Sequence, residues 1–277
     1  MTSAPNEARW LVALDIDGTV LAEDGALSPA VVSEVRRVRD LGHEVTLATG
    51  RSVSMTLPVL DRLGIAPHYV VCANGAIVLE RDSDAPMGYA RMLVETFDPE
   101  QALRTLRDGL EQANFAVEDE TGLFRYHGHF PDGALATTSE QVEFEELFGV
   151  RATRVVVFAP DHATDVFLEA IETMGLHKVS YNVGWTSWLD IAPDGVNKAT
   201  GLERVRERLG IPRSRVLAVG DGRNDMDMLA WAGVEGHGVA MGQAPPEVIA
   251  VASWRTGTDV EDGAAAALAR VFQGRSA

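Results

Sequence analysis

The 277-residue chain contains a single cysteine, Cys72, so it can form no internal disulfide and suits a reducing compartment. Cys72 lies in the apolar run Tyr69-Val70-Val71-Cys72 and reads as a small core residue, not a reactive thiol. No apolar stretch approaches the length of a membrane span. The opening MTSAPNEARW lacks the basic-then-apolar pattern of a secretory leader. The expectation is therefore a cytoplasmic protein with no membrane partner. Positive charge is scarce as well, with 24 Lys and Arg against 41 Asp and Glu and a formal net charge of -17. Such a surface repels nucleic acid, so no nucleic-acid partner is expected. A small anionic substrate stays open, provided cations are supplied locally. Much of the acidity, as in Glu143-Phe144-Glu145-Glu146, reads as solvated surface. There is no internal repeat, and the only low-complexity tract is Ala264 to Ala267.

What is present is organised around Leu11 to Thr19, LVALDIDGT. Leu11-Val12-Ala13-Leu14 is too short for a helix and has no polar face. It reads as a strand buried on both sides of a parallel sheet. Asp15 and Asp17 stand at its carboxyl end, where open α/β sheets place ligands. A two-residue offset in extended chain points both carboxylates the same way.

The order that follows is strand-helix-strand-helix-strand. A helix from Ala30 to Leu41 is capped by Ser28 and Pro29 and stopped by Gly42. A strand over 44–48 ends at Thr49-Gly50-Arg51. A helix spans roughly Ser54 to Leu63, its first turns uncertain because of Pro58. A strand over 68–72 ends at Asn74-Gly75. Residues 81–88, rich in Asp, Ser, Pro and Gly, read as a linker. Beyond them the pattern is α+β: a helix from Asp98 to Gln112, strands at 115–117, 123–126 and 154–158, a helix over 164–174, and strands at 179–183 and 188–191. The first pattern returns with a helix over 198–209 and a strand over 216–219 ending in Gly220-Asp221. A helix over 226–232 and a closing helix over 263–272 complete it. The predicted fold is a Rossmann-like, doubly wound parallel sheet (1–84 and 190–277) with an inserted α+β domain (85–189).

Three strand ends thus carry polar side chains: Asp15 with Asp17, Thr49, and Asp221 with Asp225. Lys198 begins a helix between the second and third. Each alone has an ordinary explanation, since aspartates cap helices and close turns. Together they gather at one sheet edge. Four neighbouring carboxylates repel one another, and a divalent cation relieves this. Oxygen ligands without His or Cys favour Mg²⁺. Lys198 adds a fixed positive charge, while the Thr49 hydroxyl and nearby backbone N–H groups add donors. The set suits phosphoryl transfer. Asp15 is the expected nucleophile, forming an aspartyl-phosphate, and Asp17 the general acid/base.

At this point the motifs resemble a known family. DIDGT at 15–19, TGR at 49–51, Lys198 within GVNKATGL and GDGRND at 220–225 resemble, in order, the four motifs of the haloacid dehalogenase superfamily of phosphatases. The position of the insertion resembles the Cof-type subfamily with its α/β cap. ANGA at 73–76 and AMG at 240–242 are similar to further landmarks of that subfamily, although Gln243 stands where it often has Asn. The resemblance implies Mg²⁺ held by Asp15, the Asp17 backbone carbonyl and Asp221, with Asp225 supporting the metal's waters. It implies phosphate bound by Thr49, Gly50 and Lys198, with Asn224 orienting the phosphate or Lys198. It implies a cap that closes over the core and selects the substrate, with Asn74 and Gly75 at the entrance.

The expected activity is a Mg²⁺-dependent phosphomonoester hydrolase acting on a small phosphorylated metabolite, such as a sugar phosphate. A phosphomutase would share the aspartyl-phosphate. A non-catalytic sensor of phosphorylated metabolites would not need Asp17, and a dehalogenase would leave it without a duty. A receiver domain would not carry the insertion. In the insertion, Phe124, Arg125, Tyr126 and His127 form an aromatic-basic cluster within reach of a substrate. His127-Gly128-His129 reads as surface, Trp185 and Trp188 as packing residues, and Met226, Met228 and Leu229 as core.

Overall fold

The computed structural model describes residues 9–110, 112–135, 138–160, 179–183 and 188–274. Its centre is β1 (Leu11–Leu14), with all four residues buried. A strand with no polar face can only lie between two covered faces. It pairs in parallel with β2 (Glu44–Leu47) on one side and β12 (Val216–Gly220) on the other. β13 (His237–Ala240) and β14 (Trp254–Arg255) extend a parallel sheet of order β14-β13-β12-β1-β2.

Alternate β1 residues serve opposite cores. Val12 and Leu14 pack with α1 (Pro29–Asp40), α2 (Val53–Leu63) and α7 (Gly263–Phe272). Leu11 and Ala13 pack with α4 (Lys198–Leu209), α5 (Met226–Gly233) and α6 (Pro246–Val251). Helices on both faces make the sheet doubly wound, as the sequence pattern predicts. Ser28 caps α1 by accepting from the Ala30 N–H at 3.1 Å. α2 continues through Pro58, which lies inside the helix. Cys72 is fully buried, and burial pushes its thiol up to about 12, as a core residue requires. Met228 and Leu229 are core residues too.

β3 (Tyr69–Cys72) joins the end of the parallel sheet through a bridge between Ala48 and Val71. It also starts an antiparallel sheet with β4 (Ile77–Arg81) and β5 (Tyr89–Val94). Residues 82–88 are therefore the turn of the β4–β5 hairpin and not a linker. The same Asp, Ser, Pro and Gly residues serve either purpose, and only the pairing of the flanking strands distinguishes them.

The second unit is a six-stranded sheet of order β10-β11-β9-β6-β7-β8. Its strands are β6 (Asn114–Asp119), β7 (Phe124–His127), β8 (Ser139–Gln141), β9 (Ala152–Phe158), β10 (Val179–Val183) and β11 (Trp188–Pro193). One face, with Phe115, Val117, Val155 and Val157, packs on Leu103 and Leu106 of α3 (Glu100–Gly109). α3 stops before the predicted Gln112 because Leu110 leaves the helix at φ -133° and is buried in that core. The other face carries Ala116, Phe124, Val156 and Trp188. The helix predicted over 164–174 and Trp185 lie outside the described residues. Among the described residues no helix is long and apolar enough to cross a membrane.

Candidate active site

The strand ends converge on a cleft of about 310 Å³ lined by Asp15, Asp17, Thr49, Gly50, Asp221 and Asn224 from the parallel-sheet side. Met55, Arg51, Gly222 and Arg223 complete that side, and Ala134, Arg154, Trp188 and Asp190 line it from the six-stranded unit. Asp15 extends the β1 ladder by one residue, its N–H donating to the Val219 carbonyl at 3.0 Å. The chain then turns: the N–H groups of Thr19, Val20 and Leu21 all point to the Ile16 carbonyl. The extended geometry thus ends at Asp15, and the two aspartates do not share one environment. Asp15 is buried. The Asp17 side chain is 63% exposed and held by the Arg51 guanidinium, with Arg51 Nε donating to Asp17 Oδ2 at 2.9 Å. Arg51, the last residue of the Thr49-Gly50-Arg51 motif, is the partner of Asp17.

Below them lies a buried ion cluster. Lys198 is fully buried as the first residue of α4, whose start is capped by the Asn197 side chain accepting from the Thr200 N–H at 3.0 Å. Lys198 Nζ donates to Asp15 Oδ1 at 2.6 Å and to Asp225 Oδ1 at 2.7 Å. Asp225 Oδ2 accepts from the N–H groups of Asp221 at 3.0 Å and Gly222 at 2.9 Å. Asp225 therefore fixes both the lysine and the Asp221 loop, and most of its acceptor capacity is already used. Thr19 Oγ1 donates to Asp221 Oδ1 at 3.3 Å.

The electrostatics follow from burial. Desolvation, followed by the charge of Asp225, raises the Asp15 carboxyl well above its ordinary range, while Lys198 pulls the other way. The same two causes push Asp221 up to about 7. Burial alone would lower the Lys198 ammonium, but the carboxylates of Asp15 and Asp225 outweigh it and drive its pKa up. Among the four carboxylates of Asp15, Asp17, Asp221 and Asp225, two cations are directly paired with them, Lys198 and Arg51. Carboxylate oxygens of Asp15, Asp221 and Asp225 lie within 4.8 Å of one another. An excess of negative charge on hard oxygen donors fits a divalent cation such as Mg²⁺. Among the described residues this is the only such cluster of three, and His127 and His129 are not part of it.

Other predicted site residues have different positions. Asn74 is buried, with φ 51°, behind the cleft wall instead of at an entrance. Its Oδ1 accepts from Asn224 Nδ2 at 3.1 Å, and its N–H donates to the Thr49 carbonyl at 2.9 Å. It ties the Thr49 loop to the Asn224 loop. Gly75, with φ +100°, packs beneath the start of α4, where a Cβ would come 2.1 Å from the Asn197 carbonyl oxygen. Its role is to let the Lys198 helix approach. Arg125 is not among the cleft-lining residues and pairs with Asp119 and Glu140 at 3.4 and 2.9 Å. Gln243 Nε2 donates to the Gly18 carbonyl, and its Oε1 accepts from the Asp259 N–H at 3.1 Å, so it steadies the Asp17–Thr19 turn.

Gly18 itself has φ +72°, and a Cβ there would lie 2.2 Å from Asp221 Oδ2. Gly18→Ala is expected to cost at least about 1–2 kcal/mol from backbone strain alone, read as a lower urea midpoint. An unchanged midpoint would show that the turn relaxes freely.

Sequence reasoning missed the wall contributed by the six-stranded unit. Glu118, Arg154 and Asp190 are charged residues that directly adjoin apolar residues within their strands, which was the available signal. Strand register places them together: Glu118 lies opposite Arg154, and Asp190 opposite Val156, two residues along β9. Arg154 Nε lies 3.2 Å from Glu118 Oε2, although not in hydrogen-bonding geometry. Arg154 Nη1 donates across the cleft to the Gly50 carbonyl and lies 3.5 Å from Asp190 Oδ1. Trp188 Nε1 donates to Asp190 Oδ2 at 3.2 Å.

A doubly wound sheet whose strand ends gather aspartates around a buried lysine, roofed by an inserted α+β unit, defines a class of phosphoryl-transfer fold. The family model of haloacid dehalogenase-like hydrolases matches residues 12–268, and the chain belongs to that family of enzymes. It is 27% identical over 274 residues to the 5-amino-6-(5-phospho-D-ribitylamino)uracil phosphatase YitU of Bacillus subtilis, covering 95% of this chain and 97% of that one. It is 28% identical over 246 residues to the HMP-PP phosphatase of Serratia proteamaculans, covering 86% and 85%. Among solved structures, the HAD subclass IIB sugar phosphatase BT4131 matches with a TM-score of 0.78 at 20% identity, covering 95% of this chain and 98% of that one. That likeness shows the shared fold, including the capped architecture.

Proposed function

We propose that this chain is a Mg²⁺-dependent phosphomonoester hydrolase acting on a small phosphorylated metabolite through an aspartyl-phosphate, with the six-stranded unit as its substrate-selecting cap. The observation that carries this reading is Lys198 Nζ bridging Asp15 and Asp225 beside the buried Asp221. The substrates in the names of YitU and the HMP-PP phosphatase are phosphorylated compounds and support a substrate of that kind. The single buried Cys72 suits a cytoplasmic setting.

Asp15, Asp221 and the Asp17 backbone carbonyl would hold the cation, with Asp225 fixing the Asp221 loop. The cation supplies positive charge, which favours ionised Asp15 and Asp221 and offsets the charge of the phosphoryl oxygens. Asp15 attacks phosphorus, and the bond from phosphorus to the alcohol oxygen breaks. Asp17 protonates that oxygen and later takes a proton from the water that cleaves the acyl phosphate. For this, its carboxylate must exchange Arg51 for the reacting oxygen. Thr49, Gly50, Lys198 and Asn224 hold the phosphate. A panel of phosphate esters with and without Mg²⁺ tests this reading. The expected result is metal-dependent release of inorganic phosphate. An isomerised sugar phosphate would mark a mutase, and binding without turnover a sensor.

A further inference from the structure

The cap wall of the cleft has a charge pattern that bears on the alcohol half of the substrate, and its meaning rests on the phosphatase reading above. Arg154 is committed on three sides. It faces Glu118, reaches Asp190, and donates to the Gly50 carbonyl of the opposite wall. Glu118 is fully buried and 3.2 Å from Arg154. One guanidinium thus serves two carboxylates, and of the two only Asp190 lines the cleft. Its side chain is 19% exposed, and Trp188 Nε1 holds one of its oxygens at 3.2 Å. The Trp188 ring is itself braced edge-on by Phe130 at 6.0 Å and tilted against Phe158 at 5.7 Å.

A carboxylate fixed in this way accepts hydrogen bonds and repels negative charge. We propose that Asp190, oriented by Trp188 and Arg154, is the specificity-determining residue of the cap and selects phosphate esters whose alcohol carries neutral hydrogen-bond donors and no second anionic group. Donors on such an alcohol satisfy the lone pairs that Trp188 and Arg154 leave open. A carboxylate in their place would meet the Asp190 carboxylate, whose own cation, Arg154, is already shared with Glu118 and the Gly50 carbonyl; Arg51 and Arg223 lie on the opposite wall, at the phosphate end.

The test uses matched pairs of esters that differ at one end: glucitol 6-phosphate against 6-phosphogluconate, and glycerol 1-phosphate against 3-phosphoglycerate. The full-length enzyme is expected to favour the alcohol of each pair by at least about tenfold in kcat/KM, the scale of one repelled charge in a partly screened site. Asp190→Asn keeps an acceptor for Trp188 and removes the charge. It is expected to shrink that ratio at least about fivefold, chiefly by lowering KM for the carboxylate ester, while Asp190→Glu restores the preference. Ratios within one protein cancel any loss of folded fraction. A wild-type ratio near one, or a ratio unmoved in Asp190→Asn, overturns the proposal. No phosphate release from any ester, p-nitrophenyl phosphate included, would instead overturn the phosphatase reading on which it rests.

Discussion

Asp15→Asn is expected to lose on the order of 10⁴-fold or more in phosphate release, because the group proposed here to attack phosphorus is gone. The substitution is nearly isosteric. Its amide oxygen can still accept from Lys198 Nζ, which donates to Asp15 at 2.6 Å in the parent. It also removes one negative charge beside Asp221 and Asp225, both of which raise the Asp15 carboxyl. The variant is therefore expected to melt no lower than the parent in the absence of divalent cation. Activity and stability thus move independently, and a circular-dichroism melt beside a phosphate assay separates them. Acid quenching of the parent during turnover should trap phosphate on the protein, and the variant should trap none. Wild-type turnover by Asp15→Asn would sink the nucleophile assignment.

The second large effect is a pH-dependent response to Mg²⁺. Asp221 titrates at about 7 in the folded chain, because burial and then Asp225 disfavour its charged form. In the unfolded chain an aspartate titrates at about 3.9. The sign follows from that difference. Below the unfolded value both states are protonated and nothing is lost. As pH rises from there to about 7, the unfolded chain ionises freely while the folded chain does not, so the metal-free protein loses stability. The loss is complete above about 7 and is of the order of a few kcal/mol. A divalent cation offsets it, so Mg²⁺ should raise the urea midpoint clearly at about pH 8 and much less at about pH 5. Lys198→Met should steepen the metal-free decline, since it leaves the same carboxylates without their buried cation; breaking such a cluster costs roughly 3–5 kcal/mol. Equal stabilisation by Mg²⁺ at both pH values would show that the aspartates are not its ligands.

Both effects arise from side chains legible in the linear chain. Leu11 to Leu14 has no polar face, so its place at the sheet centre and the position of Asp15 beyond it follow from local composition. Lys198 behind Asn197 is a helix start that sequence rules recognise, and the helix does span Lys198–Leu209. Residues 81–88 read as a linker but close a hairpin, Arg81 being the last residue of β4, because turn-forming residues look alike in a hairpin and in a linker. Asn74 and Gly75 were recognisable as a motif, but their places behind the wall depend on contacts with Asn224 and Asn197, more than a hundred residues away. Trp188, read as packing, does pack against Phe130 and Phe158, yet it also lines the cleft and holds Asp190.

By itself the sequence determined which strand ends carry carboxylates and where Lys198 begins its helix, and hence the phosphate-handling chemistry proposed for them, because strand burial and helix starts are set by near neighbours. Only the tertiary structure decided that Asp17 turns outward onto Arg51 and that Asp225 fixes the loop of Asp221. Only it brought Glu118, Arg154 and Asp190 together on one wall of the cleft. Strand register and the closure of one unit over the other set these arrangements, joining residues that no local pattern connects.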